Sequence, residues 1–284
     1  MIATFVLVSF CVFPSVNHGA LGQELSAWKE ILSFRPPTSI QKSVQARGKT
    51  WTVHRLGDGS GDVNLDYYPV RVKKLPKIDG VKVSAPELLT YFRTNINKFV
   101  DNDLTTFEPY KNQDQKLWDS SDPSGAMLFL NIKLMPGVSD MALVVCSQDS
   151  SNEFIFSTVR GGSGYKAINN RNNPGAHPVS GNRGFGFYKN EDEYTFYTIG
   201  ADRATRAMDE FWGIPKAKEI GFKMGDKLWK SYQRKLASFV NSNEGIAIVA
   251  TETTSSKRYK WESIKTNKQV FNPSVQPKWA PVPE

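Results

Sequence analysis

Apolar residues recur at helical spacing in two segments of the chain. In the first segment, Leu88 and Phe92 lie four residues apart, which places them on one face of a helix. The pattern predicts a helix over Ser84–Val100. Its start carries the pattern of a capping box, because the side chains of Ser84 and Glu87 can each satisfy a backbone donor of the first turn.

The second segment has the same spacing 140 positions later. Leu228, Tyr232 and Leu236 lie four residues apart and predict a helix over Lys227–Val240, with Asp226 as its N-cap. The similarity of the two helices has two interpretations, an ancient duplication or the period that any helix packed on a sheet shows. The sequence alone does not decide between them.

Runs of β-branched and aromatic residues, many of them alternating with polar residues, predict the strands of a sheet. These strands cover Lys49–Leu56, Tyr67–Leu75, Ala126–Met135, Met141–Gln148, Glu153–Arg160, Gly184–Tyr188, Tyr194–Ala201, Ile246–Thr251 and Lys257–Ile264. The remaining segments are predicted as a short helix over Gln23–Phe34, a turn cluster over Gly57–Asp62, an irregular stretch over Phe107–Trp118, a long loop over Arg160–Arg183 and an interrupted helical stretch over Ala204–Phe222. The fold class that follows is α+β, an antiparallel sheet with two main amphipathic helices packed on it.

The first residues have the pattern of a secretory signal peptide. Ile2–Val16 is almost wholly apolar and uncharged, and Ala20-Leu21-Gly22 has the small residues of a cleavage site. We therefore expect a signal peptide at 1–22, a single α+β domain at 23–270 and an extended proline-rich tail at 271–284. Because no later segment is apolar enough to span a membrane, the mature chain is expected to be secreted and extracellular.

Cysteine usage and charge limit which crosslinks and which partners are expected. Cys11 falls in the signal peptide and leaves Cys146 alone in an apolar run, so no internal disulfide is expected and Cys146 is predicted to be a core residue. Residues 1–159 carry 16 basic and 16 acidic side chains, and residues 160–284 carry 20 and 12, so the net charge of +8 lies in the second part. This charge indicates either an anionic membrane surface as partner or a solvated basic surface; no nucleic-acid signature is present, and no nucleic acid is expected.

The segment that starts at His177 is the main candidate for chemistry. It reads His177-Pro-Val-Ser-Gly-Asn-Arg and combines a histidine with hydroxyl, amide and guanidinium groups in the predicted loop, where functional residues concentrate. The proposed catalytic set is His177, Ser180 and Asp202. The proposed ligand- or anion-binding set is Asn182, Arg183, Arg203, Trp229 and Tyr232. The structural alternatives are that the glycines and polar residues brace the loop, and that Asp202 caps a helix.

No metal site and no cofactor are predicted. His54 and His177 have no neighbours of ligand type at a useful spacing. The turn cluster at Gly57–Asp62 resembles a calcium loop but lacks the bidentate glutamate, and Arg160-Gly-Gly-Ser-Gly164 lacks the ending of a phosphate-binding loop.

Three groups of motifs carry a family resemblance over roughly residues 65–263. They are His177-Pro-Val-Ser-Gly-Asn-Arg with Phe185-Gly186, Tyr194-Thr-Phe-Tyr-Thr with Gly200-Ala-Asp-Arg203, and Leu228-Trp-Lys-Ser with Phe239-Val-Asn241. With these motifs the chain resembles an uncharacterised family of mainly bacterial proteins. The order of hairpins before a long helix also distantly resembles the helix-grip, START-like proteins, and this resemblance implies a fold that holds apolar ligands.

Three functions remain open at this point. The first is non-enzymatic binding of an apolar or amphipathic small molecule between Lys227–Val240 and the sheet. The second is a secreted toxin or effector that acts on membranes or cells, which the basic charge and the signal peptide allow. The third is a hydrolase centred on His177.

Overall fold

The computed structural model describes residues 25–135, 137–162, 164, 169–172, 174–211, 216–267 and 271. The predicted signal peptide lies outside these residues, as does the predicted tail except for residue 271.

The described residues form twelve strands and eight α-helices. The strands are β1 Thr52–Val53, β2 Ser60–Lys74, β3 Lys77–Ile78, β4 Val81–Lys82, β5 Thr105–Pro109, β6 Met127–Met135, β7 Val138–Asp149, β8 Glu153–Arg160, β9 Val179–Asn190, β10 Glu193–Ala204, β11 Ile246–Val249 and β12 Ser255–Tyr259. The helices are α1 Lys29–Ser33, α2 Thr38–Arg47, α3 Ala85–Thr94, α4 Ile96–Phe99, α5 Asn112–Trp118, α6 Arg206–Phe211, α7 Ala217–Ser242 and α8 Trp261–Lys265. Two short 3₁₀ turns cover Ser26–Trp28 and Leu56–Asp58.

One large antiparallel sheet organises the molecule. Its strand order is β11-β2-β10-β9-β8-β7-β6-β5, with β12 also paired to β2 and β1 to β8. The chain leaves β2, passes through α3 and α4 to the far edge at β5, and returns strand by strand to β10 beside β2. The long helix α7 then follows. The predicted fold class is therefore confirmed: an α+β antiparallel sheet with helices packed on it.

The two faces of the sheet are both covered. The inner face, which carries Tyr68, Phe156 and Phe185, forms the largest apolar core with helices α3, α4 and α7. Phe185 lies at its centre and packs edge-on against Trp229 and Tyr232 of α7. Such close aromatic packing, added to the burial of apolar area, explains how the described chain forms a large core with its one cysteine unpaired.

The outer face of the sheet carries Leu65, Ile155 and Ala201 and is covered by the 3₁₀ turn at Ser26–Trp28 and by α1. Helix α2 covers the neighbouring part of the outer face through Ile40 and Val44. The sequence pattern missed α2, because these two residues are its only large apolar side chains and give too weak a period to predict a helix.

Several predicted elements are confirmed. The helix over Ser84–Val100 is present as α3 and α4, and its capping box is formed: the backbone N–H of Ser84 donates to Glu87 Oε2 at 2.7 Å. The strands over Ala126–Met135, Met141–Gln148 and Glu153–Arg160 correspond to β6, β7 and β8. Cys146 is fully buried in the inner core, as expected.

Other boundaries were wrong. The predicted loop over Arg160–Arg183 ends at Pro178, because β9 begins at Val179 and pairs with β10 along all of its twelve residues. The glycines of β9 lower the intrinsic strand propensity of this segment, but the pairing of β9 with β10 outweighs that preference. Asp202 therefore lies inside β10 and caps no helix. The long helix starts at Ala217, so Asp226 is an interior helical residue and not its N-cap.

Smaller differences concern three segments. The stretch predicted as irregular, Phe107–Trp118, holds most of β5 and all of α5. The strand predicted over Lys257–Ile264 splits into the end of β12 and most of α8. The strand predicted over Lys49–Leu56 is reduced to the two residues of β1. Among the described residues, no helix is long and apolar enough to cross a membrane.

Candidate functional site

A cavity of about 160 Å³ lies between the first half of α7 and the inner face of the sheet. Its wall is mostly apolar, with side chains from β5, β6, β7, β8, α6 and α7. The apolar lining residues are Leu104, Phe107, Leu130, Ile132, Leu134, Val144, Phe156, Pro178, Val179, Met208, Phe222, Met224, Leu228 and Trp229. Leu104, Ile132 and Met224 are only half-buried, so the cavity reaches the surface near them.

Helix α7 leaves room for this cavity because two of its lining positions are glycines. Gly221, Gly225 and Trp229 lie four residues apart on the face of the helix that lines the cavity. A Cβ atom added at Gly225 would meet no atom within 4 Å. Glycine is unfavourable in a helix interior, and here its missing side chain keeps the space open.

The floor of the cavity is polar and is built from a row across four neighbouring strands. Asn64 on β2 lies opposite Asp202 on β10, and Asp202 lies opposite Gly181 on β9. Gly181 in turn exchanges two hydrogen bonds with the hydroxyl of Thr158 on β8, at 3.1 and 3.4 Å. Gly181 has φ +152°, and a Cβ there would overlap the carbonyl oxygen of Ala201, so only glycine fits the row.

A buried ion pair lies beside this row. The two terminal nitrogens of Arg183 each donate to one carboxylate oxygen of Asp66 at 2.8 Å. The guanidinium is stacked over the ring of Trp229, 4.2 Å from its centroid. A Cβ at Gly200 would overlap the guanidinium, so this glycine gives Arg183 its place on the sheet. Burial lowers the pKa of Arg183, but the Asp66 carboxylate outweighs it and the net shift is upward.

Asp202 is the second carboxyl of the floor. Its Oδ2 lies 3.7 Å from Arg183 Nη2, farther than the oxygens of Asp66, and its side chain also bonds to Asn64. Burial and the nearby Asp66 carboxylate raise the pKa of Asp202, and Arg183 and Asn64 only partly offset this. Asp202 is therefore the less compensated of the two carboxyls.

His177 and Asp140 are two further titratable groups that line the cavity. Burial lowers the pKa of His177 to about 3, so its ring is neutral at pH 7. Its Nδ1 lies 3.1 Å from the backbone nitrogen of Val179, which donates to it, and Nε2 has no hydrogen-bond partner among the described residues. Asp140 accepts a hydrogen bond from the backbone of Asn169 at 2.8 Å, and burial raises its pKa to about 6.

The structure separates the residues that the sequence grouped together. Of the proposed catalytic set, His177 and Asp202 line the cavity, whereas Ser180 lies on the outer face, where its hydroxyl bonds to the carbonyl of Arg203. Arg203 is also on the outer face: it donates to the carbonyl of Gly61 and is stacked over Trp261. The three proposed catalytic side chains therefore do not converge on one point.

The proposed binding set divides in the same way. Arg183 and Trp229 line the cavity, and Tyr232 lies one helical turn farther along α7, within the inner core. The side chain of Asn182 accepts a hydrogen bond from Ser157 at 2.6 Å and donates to the carbonyl of Phe34, so it joins the sheet to the segment that covers the outer face.

Sequence reasoning missed Asn64 and Asp66, the two residues that β2 contributes to the polar part of the cavity. A signal for them exists: they alternate with Val63 and Leu65, as buried polar residues on one face of a strand do. The predicted turn cluster ended at Asp62 and the predicted strand began only at Tyr67, so this alternation lay in the four residues between them, which were assigned to no element. Among the described residues, no group of three or more His, Cys, Asp and Glu side chains could hold a metal ion.

Comparison with known proteins gives structural similarity only. No protein-family model and no curated protein match the chain, so the family inferred from the motifs stays a prediction. Among solved structures, the chain is similar to the di-domain ARO/CYC StfQ from the steffimycin biosynthetic pathway, with TM-score 0.38, 6% identity and coverage of 63% of this chain and 52% of that one. This chain thus spans about half the length of StfQ.

Two further solved structures match over nearly their whole length. Ara h 8.0201 has a TM-score of 0.35 at 8% identity and covers 64% of this chain, with 99% of its own chain matched. A conserved protein from Geobacillus kaustophilus has a TM-score of 0.35 at 7% identity and covers 65% of this chain, with 98% of its own matched.

Proposed function

We propose that this protein is a secreted, non-enzymatic binding protein that holds a small apolar or amphipathic molecule between α7 and the sheet. The observation that carries the proposal is the cavity of about 160 Å³, with its apolar wall, its polar floor and its half-buried rim. A concave, mostly apolar site with a few fixed polar groups is the usual form of a small-molecule site.

The size of the cavity sets the size of the bound group. An engineered apolar cavity of about 150 Å³ binds benzene, so the described volume accepts one aromatic ring or a short aliphatic chain. A longer molecule would extend through the rim near Leu104 and Met224. The ligand expected here is therefore small, or has one small end that enters the cavity.

The geometry favours binding over hydrolysis. A hydrolase centred on His177 needs a nucleophile within hydrogen-bond reach of the base. Ser180 is the hydroxyl residue that the sequence offered, and it lies on the other face of the sheet from Asp202. His177 is 5% exposed, with Nδ1 occupied by Val179. Both features suit a structural wall of a binding cavity.

The test is to fill the cavity from the helix. Gly225→Phe places a ring in the open space beside Gly225, and we expect it to abolish binding of toluene and benzyl alcohol, measured by ligand-observed NMR, with the circular dichroism spectrum unchanged. The matched control is Gly57→Phe, an exposed glycine with equally open space that does not line this cavity. Unchanged binding in Gly225→Phe would refute the proposed site.

Export is tested separately. If the chain is expressed with its first residues and a signal peptidase removes them, the protein in the medium should begin near Gln23 by mass spectrometry. A protein that stays in the cells with Met1 intact would contradict secretion and leave the binding proposal untouched.

A further inference from the structure

The cavity is lined by more acidic than basic side chains. Its lining contains the three carboxyl groups of Asp66, Asp140 and Asp202, and the single guanidinium of Arg183. No lysine or glutamate is among the described lining residues. A carboxylate or phosphate entering this space would therefore meet an excess of acidic side chains in a site of low dielectric, where like charges repel strongly.

Arg183 is not available to offset a bound anion. Two of its nitrogens donate to Asp66 at 2.8 Å, one of them also lies 3.4 Å from the hydroxyl of Thr198, and its plane is covered by Trp229. In addition, Oδ2 of Asp202 lies 3.7 Å from Nη2 of Arg183. To bind a ligand anion, the guanidinium would have to leave a bidentate buried pair, which is unfavourable.

The floor instead presents an open hydrogen-bond acceptor. Asn64 is 3% exposed, and its Oδ1 has no hydrogen-bond partner among the described residues. Its Nδ2 donates to Asp66 at 3.1 Å, and its side chain also bonds to Asp202. Because two carboxyl groups take the donor side of the amide, the orientation of Asn64 is fixed and Oδ1 remains as the acceptor. Buried acceptors are normally paired, so this atom marks a place for a donor.

We infer that the cavity takes a ligand with a hydrogen-bond donor at its inner end, a hydroxyl or an amine on an apolar body, and discriminates against carboxylates. The inference rests on the proposed function and adds the chemical class of the ligand. The donor pairs with Asn64 Oδ1 and the Asp202 carboxyl, and the apolar body packs between Leu228 and the strands opposite it.

Four probes of one size test this class: toluene, benzyl alcohol, benzylamine and benzoate, each titrated into the full protein at pH 7 and followed by ligand-observed NMR. We expect benzyl alcohol and benzylamine to bind at least tenfold more tightly than benzoate, and at least threefold more tightly than toluene. Equal affinities for all four probes, or tighter binding of benzoate, would overturn the inference while the cavity remained a binding site.

Variants connect the selectivity to the floor. Asp202→Asn replaces an ionisable carboxyl by a neutral amide with little change of shape, and the ratio of benzylamine to benzoate affinity should fall at least fivefold. Asp140→Asn provides a second variant with the same direction of change if the first does not fold. The control Asp192→Asn, at an exposed hairpin turn, should leave all four affinities unchanged. Ratios in Asp202→Asn and Asp140→Asn that equal those of the wild type would refute the role of the acidic floor.

The binding results distinguish a failure of the inference from a failure of the proposed function. If none of the four probes binds the wild-type protein, the proposed function fails and the inference fails with it. If toluene binds, and Gly225→Phe abolishes its binding, but the polar probes show no preference, only the chemical class is wrong.

Discussion

The buried ion pair beside the cavity gives the sharpest prediction of stability. Arg183→Met keeps most of the apolar stem and removes the guanidinium that donates to Asp66 and covers Trp229. The carboxylate of Asp66, whose side chain is 2% exposed, then stays buried with Asn64 as its remaining described side-chain donor. The variant thus isolates the cost of an uncompensated buried charge.

The expected loss follows from the geometry. Removing one partner of a buried ion pair costs about 3–5 kcal/mol of unfolding free energy. The lower end, about 3 kcal/mol, is expected here, because the Arg183 side chain is 12% exposed and Asn64 continues to donate to Asp66. Loss of the guanidinium over Trp229 adds about 0.5–1 kcal/mol.

Urea unfolding followed by circular dichroism at pH 7 measures this loss. The control is Arg71→Met, which breaks an exposed pair with Glu252 and should cost less than about 1 kcal/mol. The double variant Arg183→Met with Asp66→Leu replaces the pair by apolar groups and should be more stable than Arg183→Met alone by about 2 kcal/mol. The reasoning is refuted if Arg183→Met costs no more than the control, or if the two substitutions simply add.

Two further predictions concern the core and pH. Leu236→Ala should cost about 2–5 kcal/mol in urea unfolding, because Leu236 is fully buried in the inner core; a negligible change would contradict the packing of α7 on the sheet. Burial of His177 should lower the free energy of unfolding in acid. Above pH 6.5 the ring is neutral in the folded and in the unfolded protein. Below pH 6.5 the unfolded chain binds a proton that the folded chain, in which the pKa of His177 is about 3, does not bind. At pH 5 the loss of unfolding free energy is about 2 kcal/mol, at 1.36 kcal/mol per pH unit. Between pH 7 and pH 5, His177→Gln should therefore lose about 2 kcal/mol less stability than the wild type. Equal losses in the two proteins would mean that His177 is not buried in its neutral form.

The elements that the sequence predicted well are those with a strong local signal. The helix at Ser84 has both a capping box and a regular apolar period, and the strand at Glu153–Arg160 contains the β-favouring run Phe154-Ile155-Phe156. In both places local propensity and tertiary packing favour the same structure. Helix α2 lacks such agreement, because it is mostly polar and is held by contacts with residues distant in sequence, including Phe129 and Leu143.

The candidate site was only partly predictable, for a reason that concerns the register of the strands. The motif at His177 and the motif at Gly200 were recognised as segments of interest, but as a loop and a helix start. In the structure they are facing parts of β9 and β10, paired so that Gly181 lies opposite Asp202 and Arg183 lies opposite Gly200. Gly200 leaves space for the guanidinium of Arg183, and Gly181 leaves space for the backbone of β10 opposite it. Neither relation can be recognised from one segment of the sequence alone.

Strand alternation then decides which residues can act together. Within β9, Ser180 and Arg183 are three positions apart and therefore point to opposite faces of the sheet, although they are close in sequence. Within β2 and β10, Asp66 and Asp202 are far apart in sequence, yet they flank the same guanidinium. A shift of one residue in this register would exchange the two faces and place Ser180 in the cavity. The selectivity for a donor therefore depends on the pairing of β2, β9 and β10 as much as on the identity of Asn64 and Asp202, and variants that loosen this pairing should lose selectivity together with stability.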